Sequence, residues 1–259
     1  MVIFLISRLP MRKLLLGFVA IAFSACSTDG LVLCEKEGTE GKLCREYRYL
    51  NNAPQGYIEF RHEGDSVAIS DYFNTSSKLI KTIREHFENE RIIVISEQYP
   101  NETSRVQTWH YNELDSLDRV VFGANDSVVR IEYEQGKRKR EEYFHESELD
   151  RYFEYRYYQD DGKLYRIYDY TANDLLLSYR QFDYFSTGQN RISYFTSEHK
   201  LTGRRVFNSQ NGLVASVEFT DTTGTVTERA DYLYDAAFNL IEKTERRGDQ
   251  TYKSVFLYY

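Results

Sequence analysis

The 259-residue sequence has little proline (3 residues), little methionine (2) and a single tryptophan. So few prolines exclude a Pro-rich linker or an extended disordered chain. Three cysteines are too few for a disulfide-dense scaffold, and no second Cys pair or nearby His completes a four-ligand zinc site. No run in the body approaches the roughly 18 apolar residues of a spanning helix. Positive charge is also short, with 33 Lys+Arg against 40 Asp+Glu and a net charge of -7, which disfavours a general nucleic-acid binder. There is no GxSxG, HExxH, P-loop or GxGxxG segment. Aromatics are what the chain has in surplus: 23 Tyr and 16 Phe, in a sequence that is 28% charged. Its length fits one large domain or two small ones.

The one apolar stretch lies near the start. Arg12 and Lys13 form a charged n-region, Leu14 to Phe23 an apolar run of signal-sequence length, and Ser24 and Ala25 precede Cys26. This tail resembles the lipobox of bacterial lipoproteins, with Phe23 where that family usually has Leu. The resemblance implies cleavage before Cys26 and acylation of its thiol. Residues 1–10 place an apolar run ahead of the charges, the wrong order for a signal, so Met11 is the expected start. Removing residues 1–25 discards Arg8, Arg12 and Lys13 and no acid, taking the net charge to -10. An acidic body fits anionic headgroups poorly, which leaves the lipid on Cys26 to hold the protein at a membrane. The expected organisation is a signal peptide over 1–25, a lipidated Cys26 with a short tether over 26–46, and a β domain over 47–259.

Cys34 and Cys44 remain as an even pair beyond the cytoplasm. Gly38 and Gly41 between them turn the chain back, and a bridge closing that loop is worth roughly 3 kcal/mol of chain entropy. A disulfide is the expectation, with two free thiols as the alternative.

From Tyr47 onward one pattern recurs: an aromatic, a few polar residues with Gly, Asn or Asp, an aliphatic, then an alternating stretch. Tyr158 to Tyr170, Phe195 to Phe207 and Phe207 to Phe219 are each 12 residues apart. A strand of about 6–8 residues plus a turn of about 4 gives that period. His62, His86 and His110 mark a doubled period of 24, and Gly64-Asp-Ser-Val67 and Asn125-Asp-Ser-Val128 read as diverged copies of one turn. Gly162, Gly212 and Gly224 are the turn positions expected to need φ > 0, with Ser209 as a neighbouring turn residue lacking that demand. Lys78 to Glu90 has helical character, but the repeat register favours strands flanking a turn at Glu88-Asn-Glu90. The fold class is all-β: an antiparallel meander of roughly 15–18 short strands, curled around a thin aromatic core or running as a twisted ribbon.

The segments Tyr234-Asp-Ala-Ala-Phe-Asn-Leu240 and Tyr158-Gln-Asp-Asp-Gly-Lys-Leu164 resemble the YD repeat of Rhs-type bacterial proteins, and the turn grammar is similar to that of MORN-type hairpins. Phe238 stands where the YD motif has Gly, and the unit length drifts from about 9 to 17. The resemblance implies a β-hairpin repeat architecture on secreted or surface proteins, with carbohydrate or protein binding.

No catalytic constellation is visible. The five histidines (His62, His86, His110, His145, His199) are dispersed and three track the repeat, which points to structural roles rather than metal or catalysis. Asp160-Asp161 before Gly162 reads as a turn. Lys137-Arg-Lys-Arg140 precedes Glu141-Glu142 and reads as a solvated edge with charges paired across or along the strand. A lipid-spanning barrel is disfavoured, because in Leu164 to Tyr170 one face carries Arg166 and the other Asp169. The function expected is a non-enzymatic, lipid-anchored binding or scaffold module in a Gram-negative envelope, without cofactor, metal or nucleic acid. The alternative is a surface glycan-binding protein, or a glycan hydrolase whose carboxylates converge only in three dimensions.

Overall fold

The computed structural model describes residues 42–123 and 127–258. The expectations for the signal peptide, Met11, Cys26 and Cys34 lie outside the described residues. Cys44 is buried and disulfide-bonded; its expected partner Cys34 is among the residues not described.

Eighteen strands follow one another with no helix among the described residues. They are β1 (Leu43–Leu50), β2 (Ala53–Glu63), β3 (Val67–Asn74), β4 (Leu79–Glu88), β5 (Arg91–Gln98) and β6 (Arg105–Tyr111). Then come β7 (Leu117–Phe122), β8 (Ser127–Glu134), β9 (Lys137–His145), β10 (Glu148–Tyr157), β11 (Leu164–Thr171) and β12 (Leu176–Tyr184). The last six are β13 (Gln189–Thr196), β14 (Leu201–Gln210), β15 (Leu213–Thr220), β16 (Val226–Tyr234), β17 (Leu240–Arg247) and β18 (Gln250–Tyr258). The first strand thus begins inside the segment expected as tether. The helical character over 78–90 resolves into β4, a turn at Asn89-Glu90, and β5.

Each strand pairs antiparallel with the next, and β1 pairs with both β2 and β18. The meander therefore closes on itself as a barrel. The register runs from Leu43↔Tyr258 to Leu50↔Tyr252. Across this seam Ser254 Oγ donates to Glu46 Oε1 at 2.8 Å, and Asn51 and Thr251 exchange two bonds of 2.7 Å. Closure leaves no strand with an unpaired edge among the described residues. Of the two expected outcomes it selects the curled sheet and excludes the open ribbon.

The repeat has a physical basis at the turns. Asp235 N donates to Asn239 O (2.9 Å) and Phe238 N to Asp235 O (3.1 Å), while Asp235 Oδ1 accepts from Ala237 N and Asn239 N at 2.8 Å each. The same arrangement recurs with Asn74, Asn112, Thr171 and Asp221 in the place of Asp235. In each, a short polar side chain replaces the turn's missing backbone partners. The fourth residue takes a left-handed conformation: Ser77, Asp115, Asp174, Gly224 and Phe238, with φ of 57°, 62°, 61°, 90° and 66°. The acid of the Tyr-Asp pair is the cap, and the Gly position of the motif is the residue with φ > 0. Gly162 and Gly212 are also left-handed (φ 68° and 79°). Ser209, in contrast, lies within β14 and is no turn residue.

Alternate turns gather at opposite rims. We call the rim at which β1 begins the entry rim; it carries the turns that follow even-numbered strands. A β-bulge sits beside many of these turns, for example between Leu233 and Tyr234 against Leu240. Tyrosines at the ends of even strands donate their hydroxyls to the carbonyl on the far side of such a bulge. The five pairs are Tyr111 to Ile92, Tyr133 to Leu117, Tyr157 to Arg138, Tyr234 to Val214 and Tyr258 to Leu240, at 2.7–3.0 Å. A bulge frees a ladder carbonyl, and the tyrosine one hairpin later satisfies it. That is why a tyrosine closes these five units.

Two expected equivalences do not hold. His62 pairs with Ala68 and His86 with the adjacent Val67, so the two rings lie on opposite faces. Val67 of the Gly64 segment begins β3, which starts at the entry rim, whereas Ser127 and Val128 of the other begin β8, which starts at the far rim. The two segments lead into strands of opposite direction and are not equivalent; Asn125 lies outside the described residues. Side-chain burial is thin. Ile69 is fully buried, and a small cluster of Val120, Val129 and Ile131 packs with Trp109, Tyr133 and Tyr143.

Candidate functional site

Register places a polar–aromatic cluster on one face of β8 to β12. Ile131, Glu141, Phe153, Asp169 and Ser178 form one cross-strand row. Beside it run Val129, Tyr143 and Arg151 on one flank and Tyr155, Ile167 and Arg180 on the other. Glu141 is the acceptor at its centre. Its Oε2 accepts from Arg138 Nη1 (2.8 Å) and Tyr155 OH (2.7 Å), and its Oε1 accepts from Tyr143 OH. Burial, then the Glu141 charge, push the Tyr155 hydroxyl up to about 12, and burial raises Tyr143 likewise. Burial pulls Arg138 down, but its bonds and charge contacts to Tyr155 and Glu141 more than offset that, and its pKa is raised. Tyr143, Tyr155 and Arg138 therefore keep their protons at neutral pH. They hold the strands together rather than exchange protons.

The neighbouring groups are less fully used. Arg151 lies over the rings of Tyr143 (5.1 Å) and Phe153 (5.2 Å), and Arg180 lies over Phe153 (5.8 Å). Asp169, opposite Phe153, has its carboxyl held above the ordinary aspartate range by burial, against the opposing pull of Arg151 and Arg180. Asp169 Oδ1 is buried without a hydrogen-bond partner. Such an oxygen is costly to leave unpaired. Two guanidiniums, one aromatic ring and one unsatisfied carboxylate oxygen thus lie together, the oxygen closed off from the surface.

The opposite face carries an aromatic ladder. Tyr152 stacks on Tyr170 at 5.0 Å, Tyr168 meets Tyr170 and Tyr179, and Tyr179 stacks on Phe195 at 4.7 Å with 8° between planes. Arg140 covers Tyr152 at 3.7 Å, and Tyr152 OH donates to Asp174 Oδ1. Rings stacked on one another stabilise the sheet, and their faces are spent on that contact. A shallow cleft of about 230 Å³ opens between β12 and β15, lined by Phe182, Asp183, Arg191 and Phe207 among others, with Arg191 paired to Asp183 at 3.0 Å.

The residues singled out by sequence fall apart in space. His62, His86, His110, His145 and His199 lie on different strands or turns, and no group of three or more metal-ligating side chains occurs among the described residues. Asp160 and Asp161 form a turn, with Asp161 paired to Lys163 at 2.8 Å. The Lys137–Arg140 run is paired as expected, Arg138 to Glu141 and Arg140 to Glu142, but β9 lies between β8 and β10 and is no edge. Arg151, Asp169 and Arg180 were not expected as a group. Only the strand register brings them together.

No family model and no curated protein matches the chain. Among solved structures, a porin-like protein from Bacteroides uniformis is 9% identical, with 85% of this chain and 99% of that one covered and a TM-score of 0.46. A TcdB2-TccC3-Cdc42 complex is 10% identical over 80% of this chain and 16% of that one, TM-score 0.34. A domain assigned to outer membrane lipoprotein sorting from Vibrio parahaemolyticus is 8% identical over 83% and 82%, TM-score 0.27. Likenesses this distant do not bear on function.

Proposed function

We propose that this chain is a lipid-anchored β-barrel of a Gram-negative cell envelope, built on YD-type hairpin repeats and acting as a binding or scaffold module rather than an enzyme. The observation that carries this reading is how the polar groups are used. Carboxylates and cations pair across or along the strands, as in Lys81–Glu97, Arg191–Asp183, Arg229–Glu218 and Lys253–Glu242, and the short polar side chains cap turns. Charge on both faces also argues against a lipid-spanning wall, since a Lys or Arg at mid-membrane costs about 2–4 kcal/mol. Arg130, Glu142 and Tyr152 share one row, and Glu141, Phe153 and Asp169 the row on the other face. The anchor reading rests on the lipobox-like tail ending at Cys26. Cys26→Ala is expected to abolish metabolic labelling with a palmitate analogue and to release the protein from the membrane pellet; persistent labelling refutes the anchor.

A second reading, a glycan-binding surface or glycan-acting hydrolase, draws on the unsatisfied carboxyl of Asp169 between Arg151 and Arg180. Glycan-array binding that is lost in Asp169→Asn and in Arg151→Ala/Arg180→Ala favours it. Binding indifferent to all three removes it.

A further inference from the structure

The entry rim carries apolar side chains where turn chemistry asks for none. Leu114, in the β6–β7 turn, is 82% exposed; Phe238, in the β16–β17 turn, is 66% exposed; Phe185, beginning the β12–β13 turn, is 41% exposed. Phe238 occupies a left-handed position with φ of 66°, a conformation in which a bulky residue is strained and Gly or Asn is favoured. Backbone geometry therefore does not explain Phe238, and neither does burial. The three tips follow β6, β12 and β16 of an 18-strand ring, so they are spread around the rim rather than gathered at one point.

The chain reaches the barrel at this same rim, because β1 begins there at Leu43. The chain from Cys26 to Leu43 spans at most about 60 Å even when fully extended, so an acyl group on Cys26 keeps the entry rim within that distance of the bilayer. Of the acids in the turns there, Asp65 pairs with Lys42 at 3.4 Å and Asp115 with Arg91, while Glu90, Glu113 and Asp160 remain to repel anionic headgroups.

We propose that the entry rim rests on the membrane, with Leu114, Phe185 and Phe238 inserted at the interface of a zwitterionic bilayer. This rests on the lipid-anchor reading above. Contact is apolar, so the barrel stands on its rim by shallow insertion, of the order of 5–10 Å, as interfacial apolar groups do. The far rim also exposes apolar residues, Leu175 (66% exposed) among them, but it faces away from the point of attachment.

The experiment uses the full lipidated chain reconstituted into phosphatidylcholine vesicles with brominated acyl chains. Emission from Leu114→Trp, Phe238→Trp and Leu175→Trp is compared with that of the parent, whose Trp109 supplies a constant background. We expect the added tryptophan at positions 114 and 238 to be quenched about two-fold by the brominated chains, as for a ring at the acyl boundary, and that at 175 to be unaffected. Equal quenching at both rims, or none at the entry rim, overturns the proposal. Palmitate labelling of the same samples separates the two readings. Labelled Cys26 without quenching overturns the rim contact alone, and loss of both overturns both. Phe238→Gly, which relieves the strained turn, supplies a variant in which reduced membrane contact cannot arise from misfolding.

Discussion

Tyr234→Phe removes one hydroxyl and nothing else, and so tests what the repeated aromatic does. In the native barrel that hydroxyl donates to Val214 O at 3.0 Å, across the hairpin whose bulge lies between Asn208 and Ser209. An ordinary hydrogen bond contributes about 0.5–1.5 kcal/mol net, and leaving a part-buried carbonyl unsatisfied moves the loss towards 1–3 kcal/mol. We expect about 1.5 kcal/mol. In a domain of this size that lowers the unfolding midpoint by about 3–6 °C. Tyr252→Phe is the control, because its hydroxyl donates to the exposed Gln250 side chain at 2.6 Å, and a surface change of that kind stays within about 0.5 kcal/mol. Thermal and urea unfolding followed by near-ultraviolet circular dichroism compares the two. Tyr111→Phe, whose bond to Ile92 lies on β5 and β6, is expected to add to Tyr234→Phe within about 0.5 kcal/mol, since the sites share no partner. Equal midpoints for Tyr234→Phe and Tyr252→Phe refute the account of the repeat as a chain of bulges closed by tyrosines.

Gly212→Val places a β-branched residue at φ 79° and is expected to cost about 1–3 kcal/mol, read as a lower urea midpoint; Gln210→Val, at the end of the adjacent strand, is the control and should be near neutral. Phe238→Gly should do the opposite, adding about 1 kcal/mol of stability and raising the midpoint, by relieving a left-handed aromatic. Burial holds the Asp169 carboxyl above its ordinary value of 3.8, so the native state binds a proton where the unfolded chain has released it. Stability from this site therefore grows as pH falls through the raised value and is lost as pH rises through it. Asp169→Asn is expected to raise the midpoint at neutral pH and to flatten the pH dependence above 3.8; an unchanged slope rejects this. Closure predicts that backbone amides of β1 and β18 exchange with deuterium as slowly as those of β9 and β10, and faster exchange confined to the terminal strands would mean an open sheet.

The strands were legible in the sequence because their signals are local. Turn residues such as Asp221, Gly224 and Asp235 announce themselves by chemistry, and a 12-residue spacing of aromatics dictates a strand and a turn. The helical character of residues 78–90 yielded to this grammar, since Asn89 and Glu90 supply a two-residue turn with φ of 50° and 64°. Face assignments were not legible. A single bulge, such as that between Tyr72 and Phe73, changes which face the rest of a strand presents. That is why His62 and His86 are 24 residues apart and still point to opposite sides. The cluster of Arg151, Asp169 and Arg180 was hidden for the same reason: each residue is ordinary in its own strand, and only three successive registers align them.

Closure itself lay beyond the sequence, because no residue encodes it. It follows from twist and stagger summed over all eighteen strands, and its seam joins Glu46 to Ser254 and Asn51 to Thr251, residues about two hundred positions apart. Once closed, the sheet has no edge to protect but has two broad faces and little buried apolar core. Stability must then come from the faces themselves. Arg–aromatic contacts such as Arg140 on Tyr152, stacked pairs such as Tyr179 on Phe195, and ion pairs such as Lys253–Glu242 are cross-strand terms of about 0.2–1 kcal/mol each. A ring of eighteen such interfaces accumulates many of them. The composition that first set this sequence apart, rich in tyrosine and in charge of both signs and poor in proline, suits a single closed sheet that carries charged and aromatic side chains on both of its faces. In such a wall most polar groups are already committed to neighbouring strands, and Asp169 Oδ1 beside two arginines is one of the few buried ones that are not.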